Sequence, residues 1–132
     1  RLATANNELI ALTGLARSEG IRNSRGGGVC GSTDGTGCDG EWSKGVLAWS
    51  DLDGDGQLGS SDTVLRFSQG NPQLSVVGPA GATIAFDGRG RRRAAADQTL
   101  VLSPDTCKTG EPKSTLTINQ SGQVRATKGT CS

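Results

Sequence analysis

The chain has 132 residues, a formal net charge of +1, and only two Trp and two Phe as aromatic residues. This length suits one modest domain with a largely aliphatic core, and we predict a single domain over residues 1–132. The chain contains no His, which excludes Ser-His and Cys-His catalytic pairs, and no motif positions a pair of carboxylates, so we predict that it is not an enzyme.

The first predicted element is an amphipathic helix over about residues 2–24. Its apolar side chains recur at alternating spacings of three and four residues, which places them on one stripe. The members of this stripe are Leu2, Ala5, Leu9, Leu12 and Ala16. Because the helical pattern starts almost at Arg1 without a cap, we expect the sequence to begin inside a longer helix, whose earlier part is a membrane segment or a targeting signal.

Short β-type runs separated by Gly-rich turns fill about residues 29–132, after a flexible break predicted at residues 25–28. The clearest run is 46–49, and the run 63–67 is predicted to return as its hairpin partner. The other runs are 29–30, 74–77, 83–86, 99–103, and a final hairpin of 116–119 and 124–127. The predicted fold class is therefore α+β, with one helix packed on antiparallel β-sheet.

The four cysteines are Cys30, Cys38, Cys107 and Cys131, and they allow three disulfide connectivities. Proximity in the sequence favours the pairs Cys30–Cys38 and Cys107–Cys131. Neither the close Cys pairs nor the His residues of a zinc site are present. We therefore predict disulfides and an oxidising compartment such as the periplasm or the cell surface, with four buried free thiols in a cytosolic protein as the alternative.

The loop over residues 51–62 carries acidic residues at relative positions 1, 3, 5 and 12 and Gly at position 6, as EF-hand calcium loops do. Carboxylate oxygens suit a hard cation, and glycine permits the sharp turn. The candidate calcium ligands are Asp51, Asp53, Asp55, Gln57 and Asp62. Position 12 is Asp instead of the usual Glu, and the flanks resemble strands, so the alternative is a hairpin connection without any cofactor.

Basic residues are concentrated in the second half of the chain, where residues 71–132 carry eight basic and four acidic side chains. Clustered guanidinium groups neutralise phosphates and displace counterions, which suits a nucleic acid or lipid headgroups. The candidate DNA-binding residues are Arg89, Arg91, Arg92, Arg93, Arg125 and Lys128. No aromatic residue lies nearby to stack on bases, and the alternative is a solvated loop that protects an edge strand from aggregation.

Several short stretches are informative because of the order in which they occur. They are Leu15-Ala16-Arg17-Ser18-Glu19, Val29-Cys30, Trp42, the run 45–49, the Asp/Gly loop from Asp51 to Gly56, Leu65-Arg66, Ile84-x-Phe86, and Gly122 before Val124-x-Arg. In this order they resemble the GspH/FimT family of type II pseudopilins and type IV pilus minor pilins. The resemblance covers nearly the whole chain, and the Leu-Ala-Arg-Ser-Glu stretch is its most specific part.

The resemblance implies a pilin-like fold and a place in a filament. It implies a bacterial inner-membrane protein, anchored by an N-terminal apolar segment, whose periplasmic domain enters a cell-surface pilus or a periplasmic pseudopilus. Its partners would be other pilin or pseudopilin subunits, and a Cys107–Cys131 bond would resemble the C-terminal staple of many pilins. The expected function is that of a type IV pilus minor pilin that helps to prime assembly near the tip. The alternative is a GspH-type pseudopilin of a type II secretion system.

The resemblance also bears on the two charged loops. FimT-like members in competent bacteria are associated with DNA binding through a Gly-Arg-x-Arg motif, and the matching stretch here is Gly122-Gln123-Val124-Arg125. Gln replaces the first Arg, so only Arg125 carries over. Contact with double-stranded DNA during uptake is expected if the run Arg91–Arg93 lies near this stretch. In the family the Asp/Gly loop recurs as a hairpin turn, which favours that alternative over calcium.

Overall fold

A computed structural model describes residues 2–59, 62–70, 74–79, 83–106 and 108–131, with side chains from Thr4 onward. Helix α1 spans Leu2–Asn23, close to the predicted bounds. In the described part of the chain it is followed by strands β1 Gly26–Gly31, β2 Gly45–Ser50, β3 Thr63–Gln69, β4 Leu74–Val77, β5 Thr83–Asp87, β6 Gln98–Pro104, β7 Pro112–Ile118 and β8 Val124–Thr130. Each predicted β-type run therefore corresponds to an observed strand.

The strands form two antiparallel sheets of four strands each within the described residues. The first sheet has the order β3-β2-β1-β5, with Gly27 of β1 opposite both Ser50 of β2 and Phe86 of β5. The second sheet has the order β4-β6-β7-β8, and β8 is an exposed edge strand. The pairing of β2 with β3 and of β7 with β8 confirms both predicted hairpin partnerships.

Helix α1 packs one face against both sheets and so joins them. Leu9, Leu12 and Ala16 of the predicted stripe are buried, whereas the side chain of Leu2 lies outside the described residues. The core that they enter draws on both sheets. Its strand residues are Val29, Val46, Ala48, Ile84, Phe86, Leu100, Leu102, Leu116 and Ile118. The predicted α+β architecture is confirmed, with two sheets sharing one helix.

The glycine run at the start of β1 is not a flexible break, and that prediction was wrong. Gly26, Gly27 and Gly28 are buried in an interior strand of the first sheet. A Cβ atom at Gly27 would overlap the carbonyl oxygen of Ala16, and one at Gly28 would overlap the ring of Trp49. Glycine is needed here because the helix and an indole ring lie directly on the strand backbone.

A second, smaller cluster covers the other face of the first sheet. Cys30, Leu47 and Trp49 are fully buried there. Cys38 is bonded to Cys30, which confirms the predicted short-range disulfide and ties the loop after β1 to the sheet. Leu58, from the loop between β2 and β3, packs against the same cluster. Both long loops of this sheet are therefore anchored by a side chain.

The C-terminal cysteine pair is only partly described. Cys131 is buried and is not a free thiol. Its predicted partner, Cys107, lies outside the described residues, so the Cys107–Cys131 bond stays a prediction. Among the residues described, no helix combines the length and the apolar character that a bilayer crossing requires.

Candidate functional site

The acidic loop, residues 51–62 between β2 and β3, brings four of its predicted ligands together. One carboxylate oxygen from each residue of the set lies within 4.8 Å of the others, and the set is Asp51, Asp53, Asp55 and Asp62. Asp51 follows directly on buried strand β2 and is itself fully buried. The fifth candidate, Gln57, donates its backbone N–H to Asp55 Oδ1 at 2.9 Å.

Backbone N–H groups hold these carboxylates in place. Gly56, with a φ of 78°, donates its N–H to Asp51 Oδ2 at 2.7 Å. Asp62 accepts one hydrogen bond from the N–H of Leu52 at 2.7 Å and another from Gly59 at 2.8 Å. Asp51 Oδ1, by contrast, has no hydrogen-bond partner among the described residues.

The environment of Asp51 disfavours its charged form. Burial raises the pKa of Asp51 to about 6, the nearby carboxylates of Asp53, Asp62 and Asp55 act in the same direction, and the Gly56 hydrogen bond opposes them. The guanidinium of Arg93 lies 3.9 Å from Asp51 Oδ2, the oxygen that already accepts the Gly56 hydrogen bond. The loop thus concentrates negative charge around one buried carboxylate.

The arginine loop, residues 87–93 after β5, is built around Asp87. Its Oδ1 accepts hydrogen bonds from the N–H groups of Arg89 and Arg91, both at 2.9 Å. Burial alone would raise the pKa of Asp87, but these two hydrogen bonds and the charges of Arg91 and Arg93 hold it below its usual value. The carboxylate therefore stays ionised and shapes the turn that carries the arginines.

Two of the candidate DNA-binding arginines, buried Arg92 and exposed Arg93, donate hydrogen bonds to the fold. Arg92 is only 9% exposed and donates from Nη1 to Asp97 at 2.6 Å and to the carbonyl oxygen of Ile118 at 3.2 Å. Arg93 donates to the carbonyl oxygens of Phe86 at 3.3 Å and Arg25 at 2.9 Å. These guanidinium groups brace the fold around them.

Arg89 and Arg91 are exposed, and they meet a residue that the sequence analysis did not single out as a binding residue. Arg17 of α1 donates from Nε to the carbonyl oxygens of Gly90 at 3.0 Å and Ser121 at 3.3 Å. Arg17, Arg89, Arg91, Asn119, Gln120 and Ser121 line one surface depression, the arginine surface. Arg17 lies 73 residues before Gly90, and its only signal in the sequence was its place in the Leu-Ala-Arg-Ser-Glu stretch.

The remaining basic candidates, Arg125 and Lys128, lie on exposed edge strand β8. Residues three apart on a strand face opposite sides of the sheet, so these two side chains do not share a face. Gly122, just before β8, has a φ of 85°, and a Cβ there would overlap the carbonyl oxygen of Gly90. The turn before β8 therefore packs against the arginine loop. Proximity of these two segments was the condition for the expected DNA contact.

The exposed face of α1 carries a second regular stripe, which we call the outer stripe. Its members recur at the same alternating spacing of three and four residues as the buried ones, and none carries a charge. They are Thr4, Asn7, Ala11, Gly14 and Ser18. A Cβ at Gly14 would have no atom of the described residues within 4 Å. The outer stripe is therefore a small-residue surface against which another helix could pack closely.

Comparison with known proteins places these features in context. The sequence pattern of the family described as type II transport protein GspH matches residues 5–122. No curated protein sequence matches the chain at a significant level. The fold is similar to that of the type IV minor pilin FimU of Pseudomonas aeruginosa, with a TM-score of 0.70, 23% identity, and coverage of 96% of this chain and 87% of that one. It is also similar to the minor pseudopilin EpsH of the Vibrio cholerae type 2 secretion system, with a TM-score of 0.64, 12% identity, and coverage of 96% and 95%.

Proposed function

The chain belongs to the GspH family of pilin-like subunits, and from this premise we propose that it is a minor pilin of a type IV pilus. In this role it acts by packing against other pilin subunits, helps to prime assembly and sits near the tip. Members of the family are anchored in the inner membrane and carry a periplasmic domain. We propose the same placement for this protein, followed by entry into the cell-surface filament.

The outer stripe is the observation that carries the proposal. A helix that buried all its apolar residues in its own domain could present a charged, solvated face to water. Here the most exposed line, from Thr4 to Ser18, is small and uncharged over four helical turns. Small residues let helix backbones approach closely, so this line suits the packing of helices in a filament core.

A charge placed on the outer stripe tests the proposal. Gly14→Arg introduces a long cation where a side chain has open space, so the domain should fold as before. We expect the full-length protein carrying this change to be present in cells at its normal level and absent from sheared filaments. The measurement is immunoblotting of the filament and cell fractions in a strain that lacks the wild-type protein.

Gly37→Arg is the matched control, because Gly37 lies in the loop after β1 and a Cβ there also has no atom of the described part of the chain within 4 Å. This variant should enter filaments like the wild type. Equal incorporation of the two variants would refute packing through the outer stripe. Loss of both from the filament fraction would refute it as well, because the effect would then not depend on the helix face.

A pseudopilin of a type II secretion system is the second candidate, supported by the family description and by the similarity to EpsH. Deletion of the gene separates the two machines. Loss of surface pili with normal protein secretion is the result expected for a minor pilin. Loss of secreted proteins with normal pili would show that the pseudopilin assignment is the right one.

We further propose that the arginine surface contacts the phosphates of double-stranded DNA. Arg89 and Arg91 are exposed there beside Arg17, whereas Arg92 and Arg93 donate to carbonyl oxygens of the fold. Fluorescence anisotropy over a salt series tests this with the double change of Arg89 and Arg91 to Ala. The slope of log affinity against log salt should decrease by about 2 in magnitude, because about one counterion is released per phosphate contact.

The double change of Arg125 and Lys128 to Ala removes the same number of charges from β8 and serves as the control. Its salt slope should stay at the wild-type value, because neither residue lines the arginine surface and the two face opposite sides of their strand. A slope reduced equally in both variants would indicate that only overall charge matters. Absence of binding at low salt would remove DNA contact from the proposed function.

A further inference from the structure

The acidic loop has a feature that neither filament packing nor DNA contact uses. Asp51 is fully buried, and its Oδ1 atom has no hydrogen-bond partner among the described residues. We propose that the acidic loop binds one calcium ion through the carboxylates of Asp51, Asp53, Asp55 and Asp62. The proposal does not depend on which filament the protein enters.

The convergence of the four carboxylates matches a single ion. Calcium binds oxygen ligands at about 2.3–2.6 Å, so two ligands of one ion lie at most about 5 Å apart. The four oxygens of the loop all lie within 4.8 Å of one another. The separations between the four carboxylates are therefore those expected for ligands of one calcium ion.

The unpartnered oxygen of Asp51 supplies an independent reason for a cation. A buried carboxylate oxygen without a donor carries a desolvation cost that a hydrogen bond or a metal ion normally offsets. The Gly56 N–H and the Arg93 guanidinium both lie on the Oδ2 side of the carboxylate. Coordination of calcium by Oδ1 would complete the environment of this side chain.

The order of the ligands favours calcium over other cations. They stand at relative positions 1, 3, 5 and 12 of the loop, and Gly56 at position 6 has the left-handed φ of 78° that the sharp turn requires. The set is purely oxygen-based, which disfavours zinc and copper. Magnesium needs a smaller octahedral shell at about 2.0–2.1 Å and keeps several waters, which four converging carboxylates do not suit.

A plain hairpin connection explains only part of this loop. Turn chemistry accounts for Asp55, which accepts the N–H of Gln57, and for Asp62, which accepts those of Leu52 and Gly59. It provides no role for the buried oxygen of Asp51. Because an exposed Asp would shape a turn equally well, burial of this residue beside three further carboxylates calls for a cation.

Calcium titration of the chelator-treated protein tests the inference. Isothermal calorimetry with CaCl2 should show one site with a dissociation constant of about 10⁻⁴–10⁻³ M, the range of extracellular calcium modules. About 10 mM CaCl2 should raise the melting temperature by about 3–10 °C over NaCl of equal ionic strength. Equal concentrations of MgCl2 should give less than half of this shift.

Two matched Asn variants locate the site. Asp55→Asn keeps the oxygen that accepts the Gln57 N–H but removes a ligand charge, and should weaken calcium binding at least about tenfold. Asp34→Asn changes an exposed Asp that accepts the Thr36 N–H in the same kind of turn, and its affinity should remain within about twofold of wild type. Absence of calcium-specific heat and of a melting shift at about 10 mM would overturn the proposal. An unchanged affinity in Asp55→Asn would do so too.

Discussion

The acidic loop and the arginine loop lie side by side at one end of the first sheet. They differ in the partners that surround their charged side chains. In the arginine loop Arg92 and Arg93 donate to carbonyl oxygens of the fold, Arg92 also pairs with the Asp97 carboxylate, and Arg89 and Arg91 are exposed without such bonds from their side chains among the described residues. In the acidic loop four carboxylates converge, and one oxygen of the buried carboxylate has no donor among the described residues. Like charges are thus dispersed in one loop and gathered in the other.

The difference follows from the hydrogen-bonding capacity of the two groups. A guanidinium has five N–H donors, and carbonyl oxygens that can accept them are available at the ends of every strand. An ionised carboxylate can only accept hydrogen bonds. Each carboxylate added to a cluster therefore needs its own N–H donors or a share of a bound cation. The backbone N–H groups of Gly56, Leu52 and Gly59 supply part of this need. The backbone carbonyl oxygens of a fold can therefore satisfy a run of Arg residues, whereas a cluster of Asp residues needs further donors or a cation.

The largest expected effect comes from the buried arginine. Arg92→Met should lower the free energy of unfolding by about 2–3 kcal/mol, because Asp97 and the carbonyl oxygen of Ile118 lose a charged donor. Chemical denaturation measures this value. The neighbouring Arg91→Met, at an exposed position, should change it by less than about 0.5 kcal/mol. Equal losses of unfolding free energy in the two variants would show that buried Arg92 contributes no more to stability than exposed Arg91.

The next effect concerns the pH dependence of Asp51. Its pKa is about 6 in the folded protein against 3.8 for an ordinary aspartate, so the folded state holds this proton more tightly than the unfolded state. The stability that Asp51 contributes is present below about pH 4 and is lost as the pH rises to about 6. With a chelator present, the loss should be about 2–3 kcal/mol, since one pKa unit corresponds to about 1.4 kcal/mol.

Asp51→Asn isolates this contribution, because its side chain does not titrate and still offers an oxygen to the Gly56 N–H. The free energy of unfolding should be measured for both proteins from pH 4 to pH 7, and the difference between them should change across this interval. Parallel curves would mean that the gathered carboxylates do not destabilise the loop. The contrast between the two loops would then disappear.

The smallest expected effect is at the contact between the loops. Arg93→Gln should cost about 1 kcal/mol at pH 7, because it removes donors to Phe86 and Arg25 and the positive charge 3.9 Å from Asp51. At pH 4 the loss should be smaller, since Asp51 is then protonated. Denaturation at both pH values tests this. A loss independent of pH would show that Arg93 acts only through the two carbonyl oxygens.

Much of the fold could be predicted because the signals were local. The buried stripe of α1 and the eight strands follow from spacing and turn residues, and the Cys30–Cys38 bond follows from proximity. The outer stripe was equally readable, since it has the same spacing as the buried stripe on the opposite side of the helix. The glycines of β1 misled the prediction, because glycine marks both flexible breaks and places of close packing.

The sequence alone determined which residues could act together within one segment: the helix faces, the strand runs and the spacing of the acidic ligands. Only the tertiary structure decided which of them are buried. It separated Arg92 from Arg91, brought Arg17 to a loop 73 residues away, and buried Asp51 beside Arg93. The physical reason is that periodicity reports the geometry of one element. Burial and hydrogen-bond partners depend on contacts between elements that are distant in the chain.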